Sequence, residues 1–434
     1  MKRAAWILLL GLLAACGGGG PPGTEVTVTL QDNLGSPAYG FVAFRVGEAD
    51  WEMARERAPG VYTFNLPAGQ ARYGVAVTCP ANILQWWHHG AFVYLLTTED
   101  TVSLTVRCAR FSGSAPFDHL EVSWDVRNVG GDRVWVQGWS SDNSSDSSQP
   151  LVLPGPVGEP IPFLAVAYDG SYSDWSKTKG LRRFSARVPG HYSLNFDPDD
   201  AVDFNNGKNV GKLRPFDAPA NYQASYRMEY LLEGGVLFTS HPLGPAGMGE
   251  GDNTGGGFLR VPHPAAGDLY LLHTFAEGTR QYLLTRSCLT AEGIADRLEA
   301  PSFPDPWPSG YQVDPAPLPS FALDRSDHPT AYRVTLRPFP GSNRAALVVW
   351  VSRSWLGSDR NLAIPDLTAL APFAALKARP GERLEWEAAA IFSTPDFGEW
   401  LGSTYVYPSH NHPYPVFPGG VWKEARVWGS FVVP

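Results

Sequence analysis

The sequence predicts an all-β protein made of tandem antiparallel β-sandwich domains with few short helices. Three observations favour this class: aromatic residues make up 12% of the 434 residues, 45 Gly and 39 Pro are spread along the chain, and alternating apolar and polar runs recur between turn signals. Strands favour aromatic and β-branched residues, whereas Gly and Pro form turns. Alternation with a period of two indicates strands with one buried and one solvated face.

The N-terminus predicts an exported protein. Lys2 and Arg3 precede an apolar run over residues 4–15, which ends at Cys16 and is followed by Gly-rich and Pro-rich sequence. This order is typical of a secretory signal peptide over residues 1–15. A helix of about twelve residues extends roughly 18 Å, less than the ~30 Å hydrocarbon core of a membrane. Residues 16–23 are predicted to form a tether between the membrane and the folded chain.

The run Leu13-Ala14-Ala15-Cys16 resembles the lipobox of bacterial lipoproteins. The resemblance implies cleavage before Cys16, attachment of lipid such as palmitate to that cysteine, and a mature protein anchored to a membrane of the cell envelope. Gly17, rather than Asp, resembles the following position of outer-membrane lipoproteins in cells with two membranes. The alternative is an ordinary signal peptide with an incidental cysteine.

Residues 24–110 form the first predicted sandwich. Two of its alternating runs, ARYGVAVTC and TVSLTVRC, end at Cys79 and Cys108. A disulfide between these strand ends is expected, because an oxidising envelope permits such bonds. Two buried, reduced cysteines are the alternative. Cys288 is then left without a partner, and we expect it to behave as a small buried apolar residue, with a reactive thiol as the alternative.

The first unit also carries a resemblance to known modules. The runs VTVTLQDNLGSPAYGFVAF and LPAGQARYGVAV make residues 24–110 similar to the prealbumin-like and carboxypeptidase-regulatory-like modules of secreted bacterial proteins. The resemblance implies an immunoglobulin-like or prealbumin-like sandwich for this unit. It supplies no catalytic residue.

A short sequence motif recurs after the first unit, beginning at Val188, Pro264 and Arg379. Each copy places a proline before a glycine and then an alternating run with an aromatic residue. Proline presets one turn angle and glycine accepts a positive φ, so the motif predicts a turn followed by a new strand. The recurrence favours related units. The alternative is that unrelated sandwiches use the same turns.

These signals divide the rest of the chain. Residues 301–320 carry many prolines, which excludes a central strand and predicts a linker that is either extended or packed on the surface. Helical spacing is confined to two short runs, residues 288–301 and 364–378. The predicted sandwich domains after the first are residues 111–215, 216–300 and 321–434.

The sequence contains none of four familiar motifs of catalysis or phosphate binding. Gly-x-Ser-x-Gly, His-Glu-x-x-His, Cys-x-x-Cys and Gly-Lys-Ser/Thr are all absent. The formal net charge of −9 argues against nucleic acid as a partner, because such binding needs a basic surface. We therefore predict that the chain is not an enzyme.

The run LQWWHHG supplies the ligand-binding candidates Trp86, Trp87, His88 and His89, which lie inside the predicted disulfide loop. Adjacent residues of a strand face opposite sides, so one indole is exposed if the other is buried. An exposed tryptophan can stack on a sugar ring or enter a partner's pocket. The alternative is that both indoles pack against a neighbouring domain.

The run FDPDDAVDF is the candidate metal-binding segment. Asp197, Asp199, Asp200 and Asp203 offer the oxygen ligands that calcium accepts, but their spacing does not match an EF-hand. A solvated acidic loop is the alternative. Apart from lipid on Cys16 and this calcium alternative, no cofactor is expected.

Taken together, these features predict a non-enzymatic cell-envelope lipoprotein that acts as a binding or scaffolding arm of β-sandwich modules. Its partners would be the membrane, through the lipid, and an envelope protein or glycan. The alternatives are a carbohydrate-binding surface protein that uses exposed tryptophans, and a hydrolase whose carboxylates the sequence does not reveal.

Replacing Cys16 by Ser should abolish labelling of the chain by an alkyne analogue of palmitate in a bacterial host, since the lipobox makes this thiol the lipid acceptor. In-gel fluorescence after coupling of a dye measures the label. Cys288→Ser serves as the control and should label normally. Undiminished labelling of the Cys16→Ser chain would contradict the prediction.

Overall fold

A computed structural model describes residues 23–32, 36–79, 90–109, 117–138, 141–158, 160–170, 175–232, 247–339, 345–401, 406–408, 413–415 and 417–434. Strands dominate these residues and the helices are short, which confirms the predicted all-β sandwich class. The predicted signal peptide and Cys16 lie outside the described residues. Within the described ranges, none of the helices combines the length and apolar character needed to span a bilayer.

The first unit folds as two packed sheets. Strands β4, β5, β1 and β8 form one sheet in that order, while β7, β6, β2 and β3 belong to a larger sheet. Val28, Val75 and Leu104 are fully buried between them. The strands are β1 (Thr24–Asp32), β2 (Phe41–Val46), β3 (Glu52–Met53), β4 (Arg55–Ala58), β5 (Val61–Leu66), β6 (Arg72–Thr78), β7 (Gly90–Thr97) and β8 (Ser103–Ala109).

The predicted disulfide is confirmed. Cys79, directly after β6, is bonded to Cys108 in β8, and their Cα atoms are 5.4 Å apart. Because β6 and β8 belong to different sheets, the bond joins the two layers of the sandwich. Cys288 is free and buried, in agreement with its predicted apolar role.

The second unit is a sandwich with its own core. Its sheets have the orders β11-β10-β13-β14 and β12-β9-β15, and Leu120, Phe163 and Leu194 are buried between them. Single-turn 3-10 helices span Trp175–Lys177 and Pro198–Asp200. The strands are β9 (Phe117–Asp125), β10 (Arg133–Gln137), β11 (Ser141–Ser144), β12 (Leu151–Pro156), β13 (Ile161–Tyr168), β14 (Thr178–Ala186) and β15 (Gly190–Asn195).

The third unit contributes to two sheets. Its short strands form a sheet of order β19-β16-β22, and the long strands β18, β17, β20 and β21 are part of the larger sheet. The strands are β16 (Val210–Leu213), β17 (Gln223–Leu231), β18 (Gly247–Asp252), β19 (Gly256–Leu259), β20 (Leu269–Gly278), β21 (Gln281–Thr290) and β22 (Arg297–Leu298).

The last part of the chain adds four long strands to the larger sheet. These are β24, β25, β27 and β30, and the short strands pair separately as β23-β26 and β28-β29. Two short helices, α1 (Arg353–Leu356) and α2 (Phe397–Leu401), and a 3-10 helix over Ala371–Leu376 connect them. The strands are β23 (Ser320–Ala322), β24 (Ala331–Pro338), β25 (Ala346–Ser352), β26 (Asn361–Ala363), β27 (Arg383–Thr394), β28 (Val406–Pro408), β29 (Pro413–Pro415) and β30 (Val421–Val432).

Three of the predicted units share one twelve-stranded sheet. Its order is β18-β17-β20-β21-β30-β27-β24-β25-β7-β6-β2-β3. The third unit joins the last through antiparallel pairing of β21 with β30, and the last joins the first through parallel pairing of β25 with β7. The division of the chain into four domains stays a prediction, but these units are connected by backbone hydrogen bonds rather than by linkers alone.

The second unit is attached to the third by side chains. Asp268 is fully buried and accepts hydrogen bonds from Arg183 Nε at 2.6 Å and from Tyr230 Oη at 2.6 Å. Arg183 lies on β14 of the second unit, whereas Tyr230 lies on β17 of the third. A charged hydrogen bond to a buried carboxylate fixes the contact between the two units.

The Pro-rich segment over residues 301–320 packs against one face of the twelve-stranded sheet. Trp307 is 3% exposed, and its Nε1 donates to the carbonyl oxygen of Ala425 at 2.7 Å. The guanidinium of Arg325 lies 5.2 Å from the centre of the Trp307 ring. The segment therefore covers part of the core and is not an extended spacer.

The helix expected over residues 288–301 is absent, and this prediction was wrong. Cys288 to Thr290 complete β21 by pairing with β20, and Arg297–Leu298 form β22. Pairing along a long hairpin overrides the local helical spacing. Of residues 364–378, only Ala371–Leu376 are helical, as a 3-10 turn.

The double variant Cys79→Ala/Cys108→Ala should lose about 3 to 4 kcal/mol of unfolding free energy in the chain-entropy model of loop closure. The loop spans 29 residues. Urea unfolding followed by tryptophan fluorescence measures the loss. Reduction should destabilise the unaltered chain similarly and leave the double variant unchanged, and an unaltered midpoint on reduction would contradict the structural role of the bond.

Candidate functional site

A pocket of about 380 Å³ opens on one face of the twelve-stranded sheet, and we call it the Trp428 pocket. Its volume falls within the ~300–1,000 Å³ range of small-molecule sites. It is lined by Arg280, Thr335, Arg337, Arg383, Glu385, Trp386, Glu387, Trp428, Gly429 and Ser430.

Three neighbouring strands build the pocket. Glu387 on β27 lies between Thr335 on β24 and Trp428 on β30. One step along, Glu385 lies between Arg337 and Ser430 in the same register. Because alternate residues of a strand share a face, this register collects polar side chains from all three strands on one surface.

Trp428 forms an aromatic wall of the pocket. Its side chain is 37% exposed, so part of the indole faces solvent. The next residue, Gly429, faces the opposite side of β30, where a Cβ atom would lie 2.6 Å from the ring of Trp386. Glycine is therefore required there for Trp386 to pack, and this packing supports the strand that carries Trp428.

Arg383 is held at the rim by two contacts. Its Nη2 donates to the hydroxyl oxygen of Ser430 at 3.1 Å, and its guanidinium lies 4.7 Å from the centre of the Phe339 ring. A cation over an aromatic face is attracted by the ring quadrupole. These contacts orient a positive charge beside the Trp428 wall.

A buried ion network lies beside the pocket on the same face of the sheet and shares Glu387 with it, and we call it the Arg333 network. Arg333 is fully buried, and its Nη2 donates to Glu387 at 2.7 Å and to Glu424 at 3.3 Å. Glu424 also accepts from Arg426 and from Trp422 Nε1, the latter at 2.7 Å. The network thus contains two guanidiniums and two carboxylates, which neutralise each other.

Ala389 makes room for this network. It lies between Arg333 on β24 and Arg426 on β30 in the sheet register. Neighbouring strands are about 4.8 Å apart, so Arg333 must extend over β27 to reach Glu424. A larger side chain at position 389 would occupy that path.

The carboxylates of the network are strongly acidic. Burial alone would raise the pKa of Glu424, but the charges of Arg333 and Arg426, with hydrogen bonds from Trp422 and Arg426, hold this pKa at about 2. The pKa of Glu387 is also lowered, because the nearby arginines outweigh the effect of burial. Both groups are therefore ionised at neutral pH, and neither is poised to donate a proton.

A second polar cluster lies on the same face of the sheet. His273 is buried with its Nε2 3.2 Å from Glu229 Oε2, and Arg286 Nε donates to His273 Nδ1 at 3.2 Å. Burial lowers the pKa of His273, and the positive charge of Arg286 lowers it further. The imidazole is thus neutral at neutral pH and serves as a link between strands.

The structure describes one of the two groups of candidate residues predicted from the sequence. Trp86, Trp87, His88 and His89 lie outside the described residues, so their predicted role stays a prediction. The acidic run is described, and each of its carboxylates has a protein partner. The partners are Arg182 for Asp197 and Asp200, Lys208 for Asp199, and the backbone N–H groups of Asn205 and Asn206 for Asp203.

The calcium alternative stays a prediction. The carboxylates are directed at cations and amides, and Asp200 is nearly fully buried beside Arg182. Among the described residues, no group of three or more His, Cys, Asp or Glu is arranged to hold a metal ion. Arg182, which lies on β14 outside the run, supplies a positive charge to Asp197 and Asp200.

The residues of the Trp428 pocket were not predicted from the sequence. A usable signal was present, because the runs RVTLRP, RLEWE and EARVWGS each carry two or more charged residues an even number of positions apart, on one face of a strand. Such alternation predicts a polar sheet face. The sequence does not reveal that these three runs are neighbours, and only their adjacency creates a pocket.

Comparisons with known proteins give distant structural similarities. No protein-family model matches the chain, and no curated protein matches it. The Bacillus anthracis TIE protein aligns with 10% identity and a TM-score of 0.16 over 61% of this chain and 45% of its own length, so the chain spans less than half of that protein.

Two other solved structures align with larger shares of their own chains. A streptococcal ancillary pilin aligns with 7% identity and a TM-score of 0.15 over 64% of this chain and 98% of that chain. The chicken CNTN1 FN1-FN3 domains align with 11% identity and a TM-score of 0.15 over 86% and 93%.

Replacing Glu424 by Gln should lower the unfolding free energy by about 3 kcal/mol at neutral pH, because it leaves the two guanidiniums of the network with Glu387 as their one carboxylate partner in the network. The folded-state pKa lies below its ordinary value of 4.5. The stabilisation is therefore complete above about pH 4.5 and is lost as the pH falls towards about 2.

Urea unfolding between pH 7 and pH 2.5 measures this difference. The gap between Glu424→Gln and the unaltered chain should narrow with acidification. Glu385→Gln, on the same face but outside the network, should change stability by about 0.5 kcal/mol or less. A gap that is constant over this pH range would contradict the assignment.

Proposed function

We propose that the chain is a non-enzymatic lipoprotein of the bacterial cell envelope that acts as a rigid binding scaffold of β-sandwich units. The observation that carries the proposal is the twelve-stranded sheet, which connects three predicted units through paired strands and presents the Trp428 pocket on one face. A preorganised surface favours binding, because little conformational entropy is lost on association.

The location at the envelope is supported by the N-terminal lipobox-like run and by the disulfide. Structural disulfides persist in oxidising compartments and are rare in the cytosol. The Cys79–Cys108 bond therefore fits an exported chain. Lipid on Cys16 would fix the N-terminal end, and the tether over residues 16–23 would separate the scaffold from the membrane.

A binding rather than a catalytic role is supported by two carboxylates, Glu387 in the pocket lining and Glu424 beside it. A glycosidase needs one protonated and one ionised carboxyl group. Glu387 and Glu424 are both paired with arginine, and both have a lowered pKa. This pair favours a structural role, and it leaves the rim of the pocket to contact a ligand.

The test uses the mature chain with Cys16→Ser, which removes lipid anchoring. We expect saturable co-sedimentation with envelope fragments of the producing bacterium, weakened about tenfold by Trp428→Ala, which corresponds to the loss of one strong contact. The matched control is Trp51→Ala, because Trp51 lies outside the pocket. Turnover of glycoside and ester substrates should remain at background.

Two results would overturn the proposal. One is an absence of saturable binding to envelope fragments. The other is substrate turnover that Glu387→Gln abolishes, because a scaffold has no use for a reactive carboxylate.

A further inference from the structure

We propose that the Trp428 pocket binds an acidic saccharide, that is, a sugar ring that carries a carboxylate. The inference rests on the proposed function and names the ligand class of its binding site. Three features of the pocket lead to it. They are an exposed aromatic wall, an excess of guanidinium groups at the rim, and both hydrogen-bond donors and hydrogen-bond acceptors on the walls.

The aromatic wall supplies the apolar contact. Trp428 is 37% exposed and faces the pocket from β30. Tryptophan combines a large apolar face with a low entropic cost of burial. A pyranose ring has an apolar C–H face of matching shape, so stacking on the indole would bury both surfaces while the ring hydroxyls remain free for hydrogen bonds.

The rim supplies positive charge. Arg280, Arg337 and Arg383 line the pocket together with Glu385 and Glu387. Arg333, beside the pocket on the same face, already pairs with Glu387. Taken together, the pocket lining and the Arg333 network contain five guanidiniums and three carboxylates, in a chain whose formal net charge is −9. Such a local excess attracts an anion, and guanidinium binds a carboxylate through two parallel hydrogen bonds.

Arg280 is the rim cation best placed to receive a ligand. It lies in the turn between β20 and β21 with a positive φ of 57°, and its side chain is exposed. It forms no ion pair with the described residues, whereas Arg383 is already oriented by Ser430 and Phe339. The two arginines differ accordingly: Arg383 is preorganised, and Arg280 is available.

The walls of the pocket also carry hydrogen-bonding groups that a ligand with hydroxyl groups would satisfy. Thr335 lines the pocket and is 1% exposed, and its hydroxyl makes no hydrogen bond within the described part of the chain. A buried hydroxyl without a partner costs about 1–3 kcal/mol. Glu385 offers acceptor oxygens nearby. A sugar hydroxyl can donate to one and accept from the other.

Other ligand classes fit less well. An acidic peptide would bring carboxylates towards Glu385 without the hydroxyl donors that this residue could accept from. A neutral sugar would satisfy the hydroxyl partners but bring no counter-charge to Arg280. An acidic saccharide satisfies the indole, the guanidiniums and the hydrogen-bonding groups together.

The experiment is isothermal titration calorimetry on the mature Cys16→Ser chain at low ionic strength. The probes are sialyllactose and trimers of galacturonate and glucuronate, each compared with its methyl ester, which removes only the charge. At least one acid should bind saturably and about tenfold more tightly than its ester, as expected for a charge-assisted contact.

The variants place the binding in the pocket. Trp428→Ala and Arg280→Gln should each weaken binding of that acid about tenfold, the loss of one strong contact. Arg55→Gln is the matched control, since Arg55 is exposed on β4, outside the pocket. Arg280→Gln leaves the Trp428 wall intact, and circular dichroism verifies that each variant is folded.

Several outcomes would overturn the inference. Equal affinity for acid and ester would identify a neutral saccharide, and tighter binding of a poly-glutamate peptide would identify an acidic peptide. Failure of every acid to bind would reject the ligand class. In that case, Trp428-dependent co-sedimentation with envelope fragments would leave the scaffold proposal standing, so the two proposals fail separately.

Discussion

The parallel pairing of β25 with β7 is the interaction on which the rest of the structure depends. It runs from Ala346 opposite Gly90 to Val351 opposite Leu95 and connects the last unit of the chain to the first. Without it, both strands would expose unpaired backbone groups along a sheet edge. The pairing also places Trp350 opposite Tyr94, and both are buried. The guanidinium of Arg333 lies 5.4 Å from the centre of the Trp350 ring, so this strand pairing also covers one side of the Arg333 network.

The Arg333 network fixes the register of the strands around the pocket. Removing a charged group from water costs several kcal/mol unless its partners are well placed. A slip of one residue on β27 would turn Glu387 to the opposite face and bring Trp386 to the network side. Arg333 would then be buried without one of its carboxylates. The register that satisfies the network also places Glu385 and Ser430 side by side, so the shape of the pocket follows from a buried electrostatic requirement.

Features that depend on local pattern could be predicted from the sequence. Contacts between strands that are distant in the sequence could not. Alternation predicted the strands, and two strand-terminal cysteines predicted the disulfide. Trp422 and Trp428 lie on the same face of β30 and are equivalent in the pattern. Trp422 is 6% exposed because Trp400 stacks on it at 4.7 Å, whereas Trp428 is 37% exposed. This difference comes from α2 covering one end of the strand, and no local pattern encodes that coverage.

One face of β30 therefore extends from the buried core to the Trp428 pocket. Trp422 and Glu424 are buried, Arg426 is partly buried and Trp428 is exposed, so the strand leads from the core to the pocket in four alternate residues. The paired charges of the Arg333 network cancel within the core. The side chains that line the pocket and those of the network together supply five guanidiniums and three carboxylates. This part of the sheet therefore carries a local excess of positive charge within a chain whose formal net charge is −9, because the carboxylates beside the pocket are already paired with arginine.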